Sequence, residues 1–290
     1  MPRILIAGCG YVGLATARLL HTAGWNVLGC THSADSAAAL AVEPFPVRQA
    51  DLSSLDSVRT LEDWRGCEAI VHCASSGRGG ADAYRAVYLG GARNLLEALT
   101  PQHLLFTSST SVYAQNDGSW VTEESPAAPD RETGQVLRET EELVLASGGC
   151  SARLAGIYGP GRSVLLKKFL TGEATIEGDG LRWINQAHRD DIATALALLV
   201  ERRATGTFNV ADDTPLTQRD IYTWLAAHFA RDLPPTGLID TNRKRGVTSK
   251  RVSNARLRAL GWSPRYPSFR DAVASDPGLL APLVSSASDT

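Results

Sequence analysis

The sequence predicts an α/β fold: a doubly wound parallel sheet with a smaller C-terminal capping region. Three observations predict it. The apolar run Ile4-Leu5-Ile6-Ala7 leads straight into Gly8-Cys9-Gly10-Tyr11-Val12-Gly13, and residues 14–23 then carry apolar side chains at helical spacing. Strand-like and helix-like segments alternate through the first half, which argues for a parallel sheet covered on both faces. The composition, 290 residues with 43% hydrophobic and 21% charged, is that of a globular chain able to bury a large core as one domain or two.

Element by element, residues 4–7 read as a buried strand and 14–23 as a helix, followed by a second strand at 26–31. A third strand at 47–50 closes at Asp51, and Ser53 or Ser54 would cap the helix after it. Residues 69–73 form a fourth strand and 81–99 a long amphipathic helix. A fifth strand at 103–107 ends in the hydroxyl cluster Ser108-Ser109-Thr110-Ser111, and a helix at 135–146 precedes a sixth strand at 150–154. The second half is turn-rich at 156–161 and helical at 164–170, 190–201 and 217–229, the last capped by Thr217. The strand at 207–210 is expected to return to the first sheet. Residues 232–248 are polar, with a basic patch at Arg243-Lys244-Arg245, and the small polar tail after Pro277 is expected to fray.

The formal net charge of −2 gives no basic field to attract nucleic acid, and no apolar run is long enough to span a bilayer. The start of the chain has no secretory h-region or cleavage site. Cys9, Cys30, Cys67, Cys73 and Cys150 are odd in number and scattered, so they read as small hydrophobes in a reducing cytoplasm. No cysteine–histidine or H-E-x-x-H spacing suggests a metal, no G-x-S-x-G suggests a nucleophile elbow, and no Walker lysine follows the first glycine loop.

The glycine motif has the context a dinucleotide site requires. Gly8 allows the tight turn, Gly10 lets the backbone approach a pyrophosphate, and Gly13 lets the helix pack closely on the strand. With Tyr11 and Val12, these residues would present free N–H groups at a helix N-terminus to the phosphates. Cys73, Ala74 and Ser75, after the fourth strand, are expected to line the cofactor as well. A site selecting NAD usually carries Asp or Glu at the end of the second strand. Here that place reads Thr31-His32-Ser33, with no carboxylate to repel a 2′-phosphate, so NADP is expected, with NAD as the alternative. The organisation expected is a Rossmann domain over 1–157 to which 183–212 returns, a capping region over 158–182 and 213–276, and a frayed tail at 277–290. Ser109 lies at the C-terminal end of a central strand, where ligands bind in open α/β sheets. Its hydroxyl would either donate to a substrate oxygen or cap a turn.

Several motifs together resemble the extended short-chain dehydrogenase/reductases, the NAD-dependent epimerase/dehydratase family. They are Gly8-x-Gly10-x-x-Gly13, Asp51-Leu52, the helix Gly91-Ala92-Arg93-Asn94-Leu95-Leu96-Glu97-Ala98, and Ser108-Ser109-Thr110-Ser111-Val112-Tyr113. Glu123 with Pro126 and Pro129, Arg153 with Tyr158-Gly159-Pro160-Gly161, and His188-Arg189-Asp190-Asp191 continue the series. The resemblance implies that Asp51 and Leu52 contact adenine, that Tyr158 lies near the nicotinamide, and that His188 braces a loop. It also exposes departures. Aligning Thr133 to Glu141 on the family's Y-G-x-S-K-x-x-x-E puts Thr133 at the tyrosine and Leu137 at the lysine, while a one-residue shift brings Arg138 near the lysine place but leaves Gly134 as the acid. The family's helical asparagine falls at Tyr88. Thr110-Ser111 stand where dehydratases carry Asp-Glu, which argues against dehydration.

The expected activity is therefore that of an NADP-dependent oxidoreductase or epimerase-like protein on a small polar, carbonyl or sugar-type substrate, cytoplasmic and without nucleic-acid or membrane partners. A homodimer is allowed for. Ser109 is the expected oxygen-polarising group, and Tyr88 or Tyr113 the proton donor. For Tyr88 the competing role is aromatic packing near Tyr84. Lys167, Lys168, Arg182, the patch at 243–245, and with more weight Lys250-Arg251, are the cations available to an anionic substrate. The alternative reading is a non-catalytic NADP-binding redox sensor or scaffold.

Overall fold

The computed structural model describes residues 1–77, 79–240 and 248–280. The basic patch at 243–245 and residues 281–290 lie outside them. Seven strands form one parallel sheet: Arg3–Ala7, Asn26–Thr31, Val47–Gln49, Ala69–His72, Leu104–Ser109, Cys150–Leu154 and Gly206–Val210. Numbered in that order, they lie seventh, sixth, fifth, fourth, first, second, third, so the order reverses beside the first strand. In register, Ile4 pairs with Val27 on one side and with Ala69 on the other. Strand side chains such as Ile4, Leu5, Ile6, Leu28, Ile70, Val71, Leu105 and Phe106 are wholly buried, as expected of a sheet covered on both faces. Each contributes about 1.5–3 kcal/mol relative to exposure.

Two compact units result: Met1–Val112 with Ala127–Arg153 and Ile192–Phe208, and Tyr113–Pro126 with Leu154–Asp191 and Asn209–Thr290. Residues 113–126, expected within the nucleotide-binding part, cluster with the second unit. In the first unit the helix Tyr11–Thr22 buries Val12, Gly13, Thr16, Ala17 and Leu20. Ser54 caps the helix Leu55–Arg59, its hydroxyl accepting from the Ser57 amide. The fifth strand is longer than its apolar run and ends at Ser109, so Ser108 and Ser109 belong to the sheet.

The segment expected as one helix over 81–99 is broken in type. Ala81–Tyr84 is α-helical, Arg85–Gly90 is a π turn, and Gly91–Leu99 is α-helical again, ending where Thr100 takes φ 40. The cause is tertiary. His72 Nε2 reaches the Val87 and Tyr88 carbonyls at 3.1 and 3.3 Å, and a β-carbon on Gly91 would lie only 3.2 Å from that nitrogen.

The second unit has its own core, including Tyr158, Leu166, Phe169, Ile176, Ile221, Tyr222, Leu225 and Phe269. Thr217 caps the helix Gln218–His228 through a capping box with Asp220. The tail does not fray from its first residue as expected: 277–280 is helical, and Leu279 is fully buried in this core. Among the described residues no helix is long and apolar enough to cross a membrane.

Candidate functional site

The glycine loop folds tightly because Gly8 and Cys9 both donate to the Cys30 carbonyl, at 3.1 and 2.7 Å, and the Gly10 amide turns back to Gly8 O at 2.8 Å. Gly8 takes φ 106, and a β-carbon there would sit 2.2 Å from Ala74 N. On Gly13 it would sit 2.1 Å from Gly8 O and 2.8 Å from Cys73 Sγ. These two glycines are packing requirements, and they bring Cys73 and Ala74 against the loop. Gly10 differs: it is exposed, and a β-carbon there meets nothing within 4 Å. As N-cap of Tyr11–Thr22 it offers no side-chain cap to the first amides of that helix, which have no intrahelical partner. That arrangement fits the pyrophosphate of a dinucleotide.

At the end of the second strand, Thr31 Oγ1 donates to Ser33 O at 3.2 Å and Ser33 Oγ accepts from the Ser36 amide at 3.2 Å. Ser33 thereby caps the short helix Ala34–Ala39, and Asp35 is exposed in its first turn. His32 Nδ1 lies 3.6 Å from Asp51 Oδ1, which also accepts from Ser53 N and Oγ at 2.9 and 2.7 Å. Partial burial pushes the Asp51 carboxyl up, and the Ser53 bonds and His32 outweigh it, so the net shift is downward. Leu52 is buried, its carbonyl accepting from Asn94 Nδ2 at 2.8 Å. Ser75 is exposed, and its hydroxyl accepts from the Gly77 amide. Cys9 and Cys30 are thiols held protonated by burial, near 12 and 11, and burial also raises Cys73.

Ser109 Oγ accepts from the Ser111 amide at 3.2 Å. The hydroxyl proton has no acceptor among the described residues, so the turn role and a donor role coexist on one side chain. Tyr88 is 8% exposed, with Tyr84, Phe106 and His72 ring centroids at 4.9, 5.9 and 6.3 Å. Its ring is fixed, while its hydroxyl has no partner among the described residues. His72 is kept neutral by burial, its pKa pushed down to about 4. Thr133 is half-buried and Leu137 buried on the helix Glu132–Ala146. Arg138 pairs with Glu141 and, at 3.3 Å, with Glu142.

The remaining tyrosines belong to the second unit. Tyr113 is fully buried and donates its hydroxyl to Asn209 Oδ1 at 2.9 Å, which favours a structural role over a proton-donating one. Tyr158 is 1% exposed, and its buried hydroxyl has no hydrogen-bond partner among the described residues. Burial, then Asp212 and Asp191, push its pKa up. His188 accepts the Asp190 amide on Nδ1 at 3.2 Å, so Nε2 carries the proton given to Asp276 at 3.1 Å. Sequence reasoning missed Asp212 and His72. Asp212 is buried with one carboxylate oxygen unpartnered among the described residues, and burial raises its pKa well above the usual range. His72 shows in the sequence only as a polar residue in an apolar strand.

Comparison with known proteins points to one family. Protein YeeZ of Escherichia coli K12 is 26% identical over 279 residues, covering 92% of this chain and 97% of its own. A 3-diazoavenalumate denitrifying reductase from a Streptomyces species is 28% identical over 314 residues, covering 94% and 100%. A solved Methylobacillus flagellatus structure of the NAD-dependent epimerase/dehydratase class is 33% identical with a TM-score of 0.78, covering 97% and 98%. The pattern of the NAD dependent epimerase/dehydratase family matches residues 4–211, from the strand before the glycine loop to the last strand of the sheet. On that match the chain belongs to the NAD-dependent epimerase/dehydratase family.

Proposed function

We propose that this protein is an NADP-dependent oxidoreductase that reduces a carbonyl-type group of a small polar substrate without a Tyr–Lys pair. The observation that carries the reading is the open space at Gly10, bounded by an uncapped helix start and by glycines that packing alone explains on either side. The amides behind Gly10 hold the pyrophosphate, and Asp51 and Leu52 border the adenine side. Thr31, His32 and Ser33 place no carboxylate where a 2′-phosphate lies. When bound, the reduced nucleotide supplies the hydride. Ser109 donates its free hydroxyl proton to the substrate oxygen, and Tyr88 is the group that gives that oxygen its proton. A reductase among the full-length relatives supports this direction of transfer.

A non-catalytic NADP-binding role is the second reading. It is favoured by the family's acid–base helix positions holding a half-buried threonine and a buried leucine. One experiment separates the two. NADPH oxidation is followed against a panel of carbonyl and sugar-nucleotide substrates, with calorimetry of NADPH and NADH alongside. The expected result is turnover, tighter NADPH than NADH binding narrowed by Thr31→Asp, and a loss of about ten- to a thousand-fold in kcat for Ser109→Ala. Tyr88→Phe should lower kcat with NADPH affinity unchanged. Tight NADPH binding with no turnover across the panel would replace the enzyme reading with the second.

A further inference from the structure

We propose that Lys250 is an anion-binding residue of the second unit: its ammonium, fixed between the Tyr113 carbonyl and the Thr248 hydroxyl, takes an anionic oxygen of a carboxylate- or phosphate-bearing small molecule.

Lys250 is 4% exposed. Its Nζ donates to Tyr113 O and to Thr248 Oγ1, both at 2.8 Å, and both acceptors are neutral. An ammonium has three donors. The third has no acceptor among the described residues, and no carboxylate among them lies within ion-pairing distance. A buried cation with neutral partners alone is an unfavourable arrangement for a folded chain. Burial pushes its pKa down to about 8, which still leaves it mostly charged at neutral pH.

The surroundings hold this charge in place. Strand Arg251–Val252 pairs in parallel with Trp120–Val121, flanked by Gly118 N to Ser249 O and Arg251 N to Ser119 O, both 2.8 Å. On the other edge, Asn185 donates to Lys250 O at 2.9 Å and accepts from Val252 N at 2.7 Å. The neighbouring cation is differently employed. The Arg251 guanidinium lies 5.2 Å from the Trp120 ring and 5.0 Å from the Trp183 ring, and its Nε donates to Gly118 O at 2.8 Å. Arg251 serves packing, whereas Lys250 keeps a charge and a donor for a partner from solution. A lysine that only stapled residues 113 and 248 would stabilise the fold; an anion site relieves a charge when the lysine is removed.

The inference rests on the second unit alone, not on the nucleotide reading, and its test needs neither NADPH nor turnover. Because phosphate can also enter the glycine cradle, thermal unfolding of the full-length chain is measured in a Gly10→Val background. Inorganic phosphate and acetate are added separately at constant ionic strength. One of them should raise the midpoint by several degrees near saturation, Lys250→Met should remove the response, and Lys250→Arg should keep part of it. Without added anion, Lys250→Met should melt no lower than its parent. Whichever anion works assigns phosphate or carboxylate. A response that survives Lys250→Met, or no response to either anion, overturns the proposal. Should Lys250→Met not fold, acylation of Lys250 is followed by peptide mass spectrometry. Protection of roughly tenfold by an anion at ten times its Kd supports the site, and no protection overturns it.

Discussion

A β-carbon added at Gly10 enters empty space, while one added at Gly8 or Gly13 collides with backbone 2.2 or 2.1 Å away. The same motif therefore contains two glycines that packing demands and one that packing does not. Gly10 has φ −94 and ψ −148, at the border of the extended region, so a side chain there meets no neighbour and bears only a modest backbone cost. Gly10→Val should consequently leave the thermal midpoint near that of the parent while calorimetry detects no NADPH binding. Gly13→Ala should do the reverse damage, destabilising by about 1–3 kcal/mol as the helix is forced off the strand. Undiminished NADPH binding by Gly10→Val would remove the dinucleotide reading of this loop. Sequence spacing expected the turn at Gly8 and the close packing at Gly13, because each needs a glycine for a separate geometric reason.

Among the elements, those whose identity is local were legible. The strand Arg3–Ala7, the Ser54 cap and the Thr217 cap follow from apolar runs and hydroxyl placement within a few residues. Those set by distant side chains were not. The π turn at Arg85–Gly90 depends on His72 reaching across from another strand, and the order of residues 277–280 on Leu279 entering a core assembled from far along the chain. In the site, the glycine loop and Ser109 stand out by position, whereas the bond from the Tyr113 hydroxyl to Asn209 joins residues that no spacing brings together. The helix Glu132–Ala146 is tied to two strands by one wholly buried carboxylate. Glu141 accepts from Ser108 Oγ at 2.6 Å and from Arg153 Nε and Nη2 at 3.0 and 2.7 Å. Glu141→Gln removes the buried carboxylate charge that Arg153 and Arg138 share, so unfolding should cost about 3–5 kcal/mol less than in the parent. A shift in the urea midpoint under a quarter of that would show that Arg153 finds other compensation.

For the whole molecule, buried histidines set how stability follows pH. His72, His103 and His188 all have lowered pKa values, and burial is the leading cause in each; His72 is pushed down to about 4. In the unfolded chain they titrate near 6.5. Between about pH 6.5 and 4 the unfolded state therefore binds protons that the folded state refuses, and stability rises with pH across that window. Above it the histidines are neutral in both states and their effect on the slope vanishes. For His72 alone the loss on going below pH 4 amounts to roughly 3 kcal/mol. Asp212 acts in the opposite sense: its raised pKa means the folded state keeps a proton that the unfolded state releases above about pH 4, so its contribution falls as pH rises. The two can be told apart because they lie in different units, His72 in the first and Asp212 in the second. Urea midpoints at pH 5 should lie below those at pH 7.5. His72→Gln, whose side-chain amide reaches the place of Nε2 and can donate to the Val87 and Tyr88 carbonyls but cannot titrate, should flatten that difference, while Asp212→Asn should steepen it. If His72→Gln leaves the slope between pH 5 and 7.5 unchanged, His72 is not the neutral buried group that holds the π turn, and the fixed geometry of Tyr88 has another origin.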